Sequence, residues 1–201
     1  MSDIIQSLWI GPKLSKLEQL CLKSFVDHGH EFHLYTYENV EGVPEGVIVK
    51  DANEILPESE IFRYKNGSVS AFSNLFRYTM LYKKGGCWVD TDVICVKPFK
   101  FKDDIVICSE PTVNYIRKDI SSFFIKIKKG SEISQEAIKM QLNHKKLILS
   151  GQMTWGSGPA TTKHIFNKFK LHKYVLPWKA MCSCAWNQAS TIYNPNAGAH
   201  P

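Results

Sequence analysis

Residues 73–92 read SNLFRYTMLYKKGGCWVDTD. From Ser70 to Lys84 the residues Ala71, Phe72, Leu75, Phe76, Tyr78, Leu81 and Tyr82 surround a helix almost completely. A helix that is apolar on nearly every side is buried. Gly85-Gly86 ends it, because glycine takes up the left-handed conformation of a helix C-terminus at little steric cost. Cys87-Trp88-Val89 then reads as a short apolar strand running straight into Asp90-Thr91-Asp92. Helix, glycine break, strand and acidic pair form one unit of an α/β sheet.

Two features of this stretch carry chemistry. Carboxylates at i and i+2 of an extended strand end face the same way, with the spacer Thr91 facing the other. At the carboxyl end of a strand in an α/β sheet they sit where ligands bind. Their hard oxygens suit Mn²⁺ or Mg²⁺, which complete their shell with phosphate oxygens and water. Two like charges this close repel unless a cation neutralises them, and a cation there would bridge a diphosphate leaving group. D-x-D alone is common in solvated turns. Here Gly-Gly-Cys-Trp-Val precedes it and Val-Ile-Cys-Val follows, so it is flanked by core. The second feature is Arg77, a charge on a buried helix, which needs an anionic or polar partner. A bound ligand and an internal ion pair to Asp90 or Asp92 both meet that need.

Outward from this unit, the periodicity predicts an α/β chain. Ile4 to Ile10 reads as a buried strand. Ser15 with Glu18 forms a capping box, opening a helix that stops near His28-Gly29. Phe32 to Tyr35 and Val47 to Val49 are strands, and Asp51 to Leu56 is a short helix before Pro57. Downstream, Val93 to Val96 resumes extended structure, and Ile105 to Ser109 and Ser122 to Ile127 are further strands. Helices are expected from Ser131 to about His144 and from Pro159 to about Lys170, with a late strand at Tyr174 to Leu176. Residues 1–201 are expected to form a single domain: one mixed central sheet flanked by helices.

Composition narrows the function. With 201 residues, 44% hydrophobic and 22% charged, the chain can bury one full core. No apolar run is long enough for a membrane span, and the start MSDIIQSLWIG does not read as a secretory signal. The six cysteines are expected to be reduced core thiols. Cys182-Ser183-Cys184 is too tight for a zinc hook. Residues 113–180 hold thirteen Lys and Arg against three acids, whereas the rest is net acidic. Such a region attracts an anionic ligand or membrane surface, or is only a solvated face. No nucleic-acid module pattern accompanies it, so nucleic acid is not an expected partner. His28, His30 and His33 read as non-catalytic.

The run S-[DN]-x-x-R-Y-x-x-L-Y-x-x-G-G-x-[YW]-x-D-x-D, matched from Ser73 to Asp92, resembles the DXD-containing sugar-binding region of glycosyltransferase family 32 and its relatives, among them capsular-polysaccharide transferases, α-mannosyltransferases and α-galactosyltransferases. Ile5-Gln6-Ser7-Leu8-Trp9-Ile10-Gly11 is similar to the first strand of that family, Leu34-Tyr35-Thr36-Tyr37 to its second, and Gly158-Pro159-Ala160 to its later Gly-Pro element.

The resemblance implies a Rossmann-like GT-A fold that binds a sugar nucleotide with a divalent cation. Carried onto this sequence, Asp92 ligates Mn²⁺ or Mg²⁺, and Asp90 contacts the ribose or donor sugar and touches the metal. Arg77 and Asn74 hold donor-sugar hydroxyls, Ser73 lines the ribose pocket, Trp88 walls the sugar and Trp9 lies against the base. Thr36 and Tyr37 are further candidates for nucleotide contact, and Gln152 for a place near the anomeric carbon. The implied donor is a UDP-sugar first and a GDP-sugar second. The acceptor is a glycan, a lipid-linked sugar or a protein side chain, and the anomeric configuration is retained. The implied role is polysaccharide biosynthesis in the cytoplasm, with peripheral contact at the membrane surface through the basic region.

Asn74 departs from the Asp common in the family, and an amide can donate as well as accept. The family closes with a His- and Trp-bearing segment. Either His200 begins that segment, or the chain lacks it. Two other readings remain. A nucleotidyltransferase would need a glycine-rich basic loop after the first strand, and Gly11-Pro12-Lys13-Leu14 is too short and glycine-poor for that. A catalytically weak or inactive sugar-nucleotide or glycan-binding module would share the pocket without turnover.

Overall fold

The computed structural model describes residues 3–111 and 118–182. The Cys184 and His200 expectations, and the question of a closing segment, lie outside these residues. The elements, in chain order, are β1 (Ile5–Leu8), α1 (Lys16–Asp27), β2 (Phe32–Thr36), β3 (Val47–Asp51), α2 (Ser70–Lys84), β4 (Cys87–Val89), β5 (Ile105–Pro111), β6 (Lys118–Ile127), α3 (Glu132–Leu149), α4 (Ser157–Lys168) and β7 (Val175–Leu176). Short 3-10 turns at Ala52–Glu54, Glu58–Glu60, Leu171–Tyr174 and Trp178–Ala180 link them.

The strands form one mixed sheet in the order β3-β2-β1-β4-β6-β5-β7. β3, β2, β1 and β4 run parallel, so their carboxyl ends share one edge. β6 pairs antiparallel with both β4 and β5. The strand period of two divides the core between the faces. Cys87 and Val89 of β4 pack on one face with Cys21, Leu22 and Phe25 of α1. Trp88 points to the other, among Phe72, Phe76 and Tyr78 of α2. α2 is therefore sandwiched between the sheet and α3 and α4, which is why it is apolar all round.

Local chemistry sets the boundaries. The Ser15 hydroxyl accepts from Leu17 N at 3.2 Å and Glu18 Oε2 accepts from Ser15 N at 2.7 Å. A cap of this kind stabilises a helix by about 1 kcal/mol. Gly85 and Gly86 have φ of 73° and 89°. A Cβ on Gly85 would meet Lys129 N at 2.7 Å, and one on Gly86 would meet Gln6 Nε2 at 2.8 Å. Only glycine fits both the backbone angle and the space. α3 runs beyond the expected His144 because Ile148 continues the buried stripe Ile133, Ala137, Gln141 and His144. α4 begins two residues before Pro159, whose missing N–H costs nothing in a first turn.

One expected element does not form. Val93 to Val96 pairs with no strand among the described residues. Both edges of β4 are occupied, by β1 and β6, and a turn at 90–93 takes the chain off the sheet. Val96 is 79% exposed in consequence. Cys21, Cys87, Cys95 and Cys108 are buried free thiols, and burial pushes Cys21 up to about 12. No helix among the described residues is long and apolar enough to cross a membrane.

Candidate active site

A cavity of about 500 Å³ opens over the carboxyl ends of β1 and β4. Ser73, Asn74, Arg77, Trp88, Asp90 and Asp92 all line it, so six of the seven residues expected at a donor site converge on one space. The acidic pair reaches it by another geometry than the strand-end reading. Asp90 N still donates to Phe123 O of β6 at 2.7 Å, and Val93 N donates back to Asp90 O at 3.3 Å. Asp90-Thr91-Asp92 is thus a turn rather than extended chain, and Thr91 lines the cavity as well.

Asp90 is held from two sides. Arg77 Nη2 donates to its Oδ1 at 2.5 Å, and the Trp88 indole N–H donates to the same oxygen at 2.7 Å. Arg77 Nη1 also donates to the Ser122 hydroxyl, and the guanidinium stands 5.0 Å from the centre of the Trp88 ring. Arg77 is 4% exposed and Trp88 1%, so this clamp is part of the core. Asp90 Oδ2 takes no hydrogen bond from the described residues and is free for another partner. Asp92 stands exposed at the rim. Protein crowding around its carboxyl, and then the charge of Asp90, push it above the usual carboxylate range.

This donor set fits a divalent cation. Two hard carboxylates beside a cleft suit Mn²⁺ or Mg²⁺, and a cation would relieve the charge repulsion that raises Asp92. Among the described residues no third His, Cys, Asp or Glu joins them to make a cluster of three, which leaves coordination positions for phosphate oxygens and water.

The other wall comes from the start of α4. Asn74 Nδ2 donates to the Ser157 hydroxyl at 3.2 Å, Tyr64 OH donates to the same hydroxyl at 2.9 Å, and Gln141 Nε2 donates to Ser157 O at 3.0 Å. Gly158 is required by close approach, because a Cβ there would lie 2.9 Å from Asn74 Nδ2. Gly158→Ala is expected to displace the buried Asn74 amide and cost about 1–3 kcal/mol, read as a lowered midpoint in urea unfolding with unchanged slope.

Trp9 is the expected residue that stays outside. It is half-buried against the α1 face of the core. Its indole N–H is enclosed with no partner among the described residues, and its neighbours Ser7 and Leu8 line the cavity instead. Tyr37 turns away, its hydroxyl donating to Leu56 O at 2.9 Å, and Thr36 is buried off the cavity. Gln152 is exposed and accepts from Ser150 Oγ at 3.3 Å, away from the cavity wall. Sequence reasoning missed Ser122, Glu110, Tyr64 and Trp155, which all line the cavity. Strand alternation marks Ser122 and Glu110 only once register is known. Trp155 had one available signal, an aromatic alone in the polar, glycine-rich run Gly151 to Gly158.

The family model described as "Glycosyltransferase sugar-binding region containing DXD motif" matches residues 16–113, from α1 through β5. The match takes in just under half the chain, and over that stretch the sequence is similar to the DXD-containing sugar-binding region of glycosyltransferases. Nineteen chains of solved structures match it. One of them, "PaToxG Glycosyltransferase", has a TM-score of 0.59 at 15% identity, over 85% of this chain and 70% of that one. At that identity the shared property is the fold. No curated protein matches the chain significantly.

Proposed function

We propose that the protein transfers a sugar from a nucleotide-diphospho-sugar, UDP-linked in the first instance, to an acceptor hydroxyl, with Mn²⁺ or Mg²⁺ as cofactor and with retention. The observation that carries this is the buried clamp of Arg77 and Trp88 on Asp90, with Arg77 itself anchored on Ser122. It spends one carboxylate oxygen internally and leaves the other, with Asp92, facing the cleft. A bound cation there would neutralise the departing diphosphate.

The chain's own residues supply positioning. Asp90 Oδ2 accepts from a donor hydroxyl, in an orientation fixed beforehand by the clamp. Asn74, tied to Ser157, presents its carbonyl oxygen to the sugar while its amide is engaged. Ser73, one residue earlier on α2, lines the ribose side. The nucleoside lies toward β1, where Ser7, Leu8 and Glu18 border the cavity. None of the assigned residues acts as a nucleophile, and the leaving diphosphate takes the acceptor proton. The basic excess of residues 113–180 favours an anionic or lipid-linked acceptor at a cytoplasmic membrane surface.

A thermal-shift panel of UDP-, GDP- and CMP-sugars with and without Mn²⁺ tests this reading. A ligand that binds only the folded chain raises the melting temperature with its affinity. The expected result is a rise with one nucleotide class that requires metal, followed by slow release of free nucleoside diphosphate. No rise with any donor would refute the proposal, and tight binding without turnover would make the chain a binding module.

A further inference from the structure

The cavity has a feature that neither the acidic pair nor its clamp uses. Trp155 lies on its border with 64% of its surface exposed, beyond the end of the matched sugar-binding region. Leaving a large aromatic in water forgoes part of the free energy its burial would give. The ring is nevertheless held in place. Its centre is 5.6 Å from the Tyr64 ring with 37° between the planes. Tyr64 is itself 3% exposed, and its hydroxyl is fixed by Ser157, donating to Oγ at 2.9 Å and accepting from Ser157 N at 3.2 Å. One side of the indole therefore rests on a rigid scaffold while much of the ring faces solvent. Glu110 of β5 lines the same cavity, half-buried. Burial, and then the neighbouring Asp119, raise its carboxyl above the usual range, while Ser121 holds it through a hydrogen bond.

A flat apolar plate on the border of a cavity that a carboxylate also lines matches one ligand chemistry well. A pyranose ring offers an apolar face of axial C–H groups, with hydroxyls around its edge. Its apolar face stacks on an indole, and its hydroxyls donate to a carboxylate. A serine or threonine side chain has no such face, and a preset plate binds a rigid ring with little further ordering cost.

We infer that Trp155 and Glu110 form the acceptor subsite, that the acceptor is a saccharide, and that its terminal pyranose stacks on the Trp155 indole with a hydroxyl donated to Glu110. This rests on the proposed donor site and names its second substrate. Saturation-transfer NMR on the chain, with and without UDP and Mg²⁺, tests it. The probes are methyl β-glucopyranoside, methyl α-mannopyranoside and methyl β-N-acetylglucosaminide, against N-acetylserine amide. The expected result is transfer to the ring C–H protons of at least one glycoside. Its affinity is expected to fall at least tenfold in Trp155→Ala, to stay within threefold in Trp155→Phe, and to fall severalfold in Glu110→Gln. Trp155 is exposed, so both of its variants fold. Binding of no glycoside, preferential binding of the serine amide, or an affinity indifferent to Trp155→Ala overturns the inference. So does a tenfold loss of UDP affinity in Trp155→Ala, which would assign the ring to the nucleotide. The thermal-shift panel reads the donor site separately, so failure there and failure here are distinct.

Discussion

Asp92→Ala is expected to abolish metal-dependent nucleotide binding while leaving the fold intact. In titrations of UDP with Mn²⁺ present, affinity falls at least a hundredfold, about 2.7 kcal/mol. Without metal the residual affinity of mutant and parent is the same. The two halves of this expectation have different causes. Asp92 is exposed at the rim of the cleft, so its removal opens no buried cavity. Its carboxyl is raised by crowding and by the charge of Asp90, which means the folded chain already disfavours that charge. Removing it relieves repulsion, and the melting temperature of the metal-free protein stays level or rises. Loss of binding together with a falling melting temperature would indicate a structural role. Undiminished metal-dependent binding would remove Asp92 from the metal site.

How far the sequence reaches is clearest at this same motif. Ser73 to Asp92 could be read because each part had a local cause: a helix apolar all round, a glycine pair with no room for a Cβ, a three-residue strand. The partners of those parts could not be read. Ser122 meets Arg77 only because β6 inserts between β4 and β5, antiparallel to both. The register that brings Ser121 beside Cys108 is set by an irregularity after Ile107. Such pairings depend on sheet order, which periodicity does not encode. Val93 to Val96 shows the opposite failure. Its apolar run suits a strand, but a strand needs a free edge and β4 has none. Trp155 was hard to single out for a third reason. An aromatic residue is by default part of a core, and only the shape of the cavity shows this one standing outside it. Trp9, to which the family resemblance assigns a base contact, packs its ring on the α1 face of the core.

Arg77→Met is expected to have the largest effect on stability, because it leaves Asp90 with its indole partner alone. Breaking a buried ion pair from one side costs about 3–5 kcal/mol. Asp90 is 34% exposed and recovers part of its hydration, so about 2–3 kcal/mol is expected here. For a chain of this length that corresponds to a melting temperature lower by roughly 5–10 °C. Arg77→Lys does not restore it. A single ammonium can replace the contact to Asp90 or that to Ser122, but the planar fork reaches both at once. A double-mutant cycle separates the ion pair from general damage to the helix. With Asp90→Asn as the second change, Arg77→Met should cost much less than it does alone, giving a coupling of about 1–2 kcal/mol. Additive losses would mean that the guanidinium serves the core through its packing on Trp88 and not through Asp90. In that event the pre-set orientation of Asp90 Oδ2 would lose its physical cause. Nucleotide affinity should follow the same coupling, since Arg77→Met frees the Asp90 carboxylate to rotate before any donor arrives.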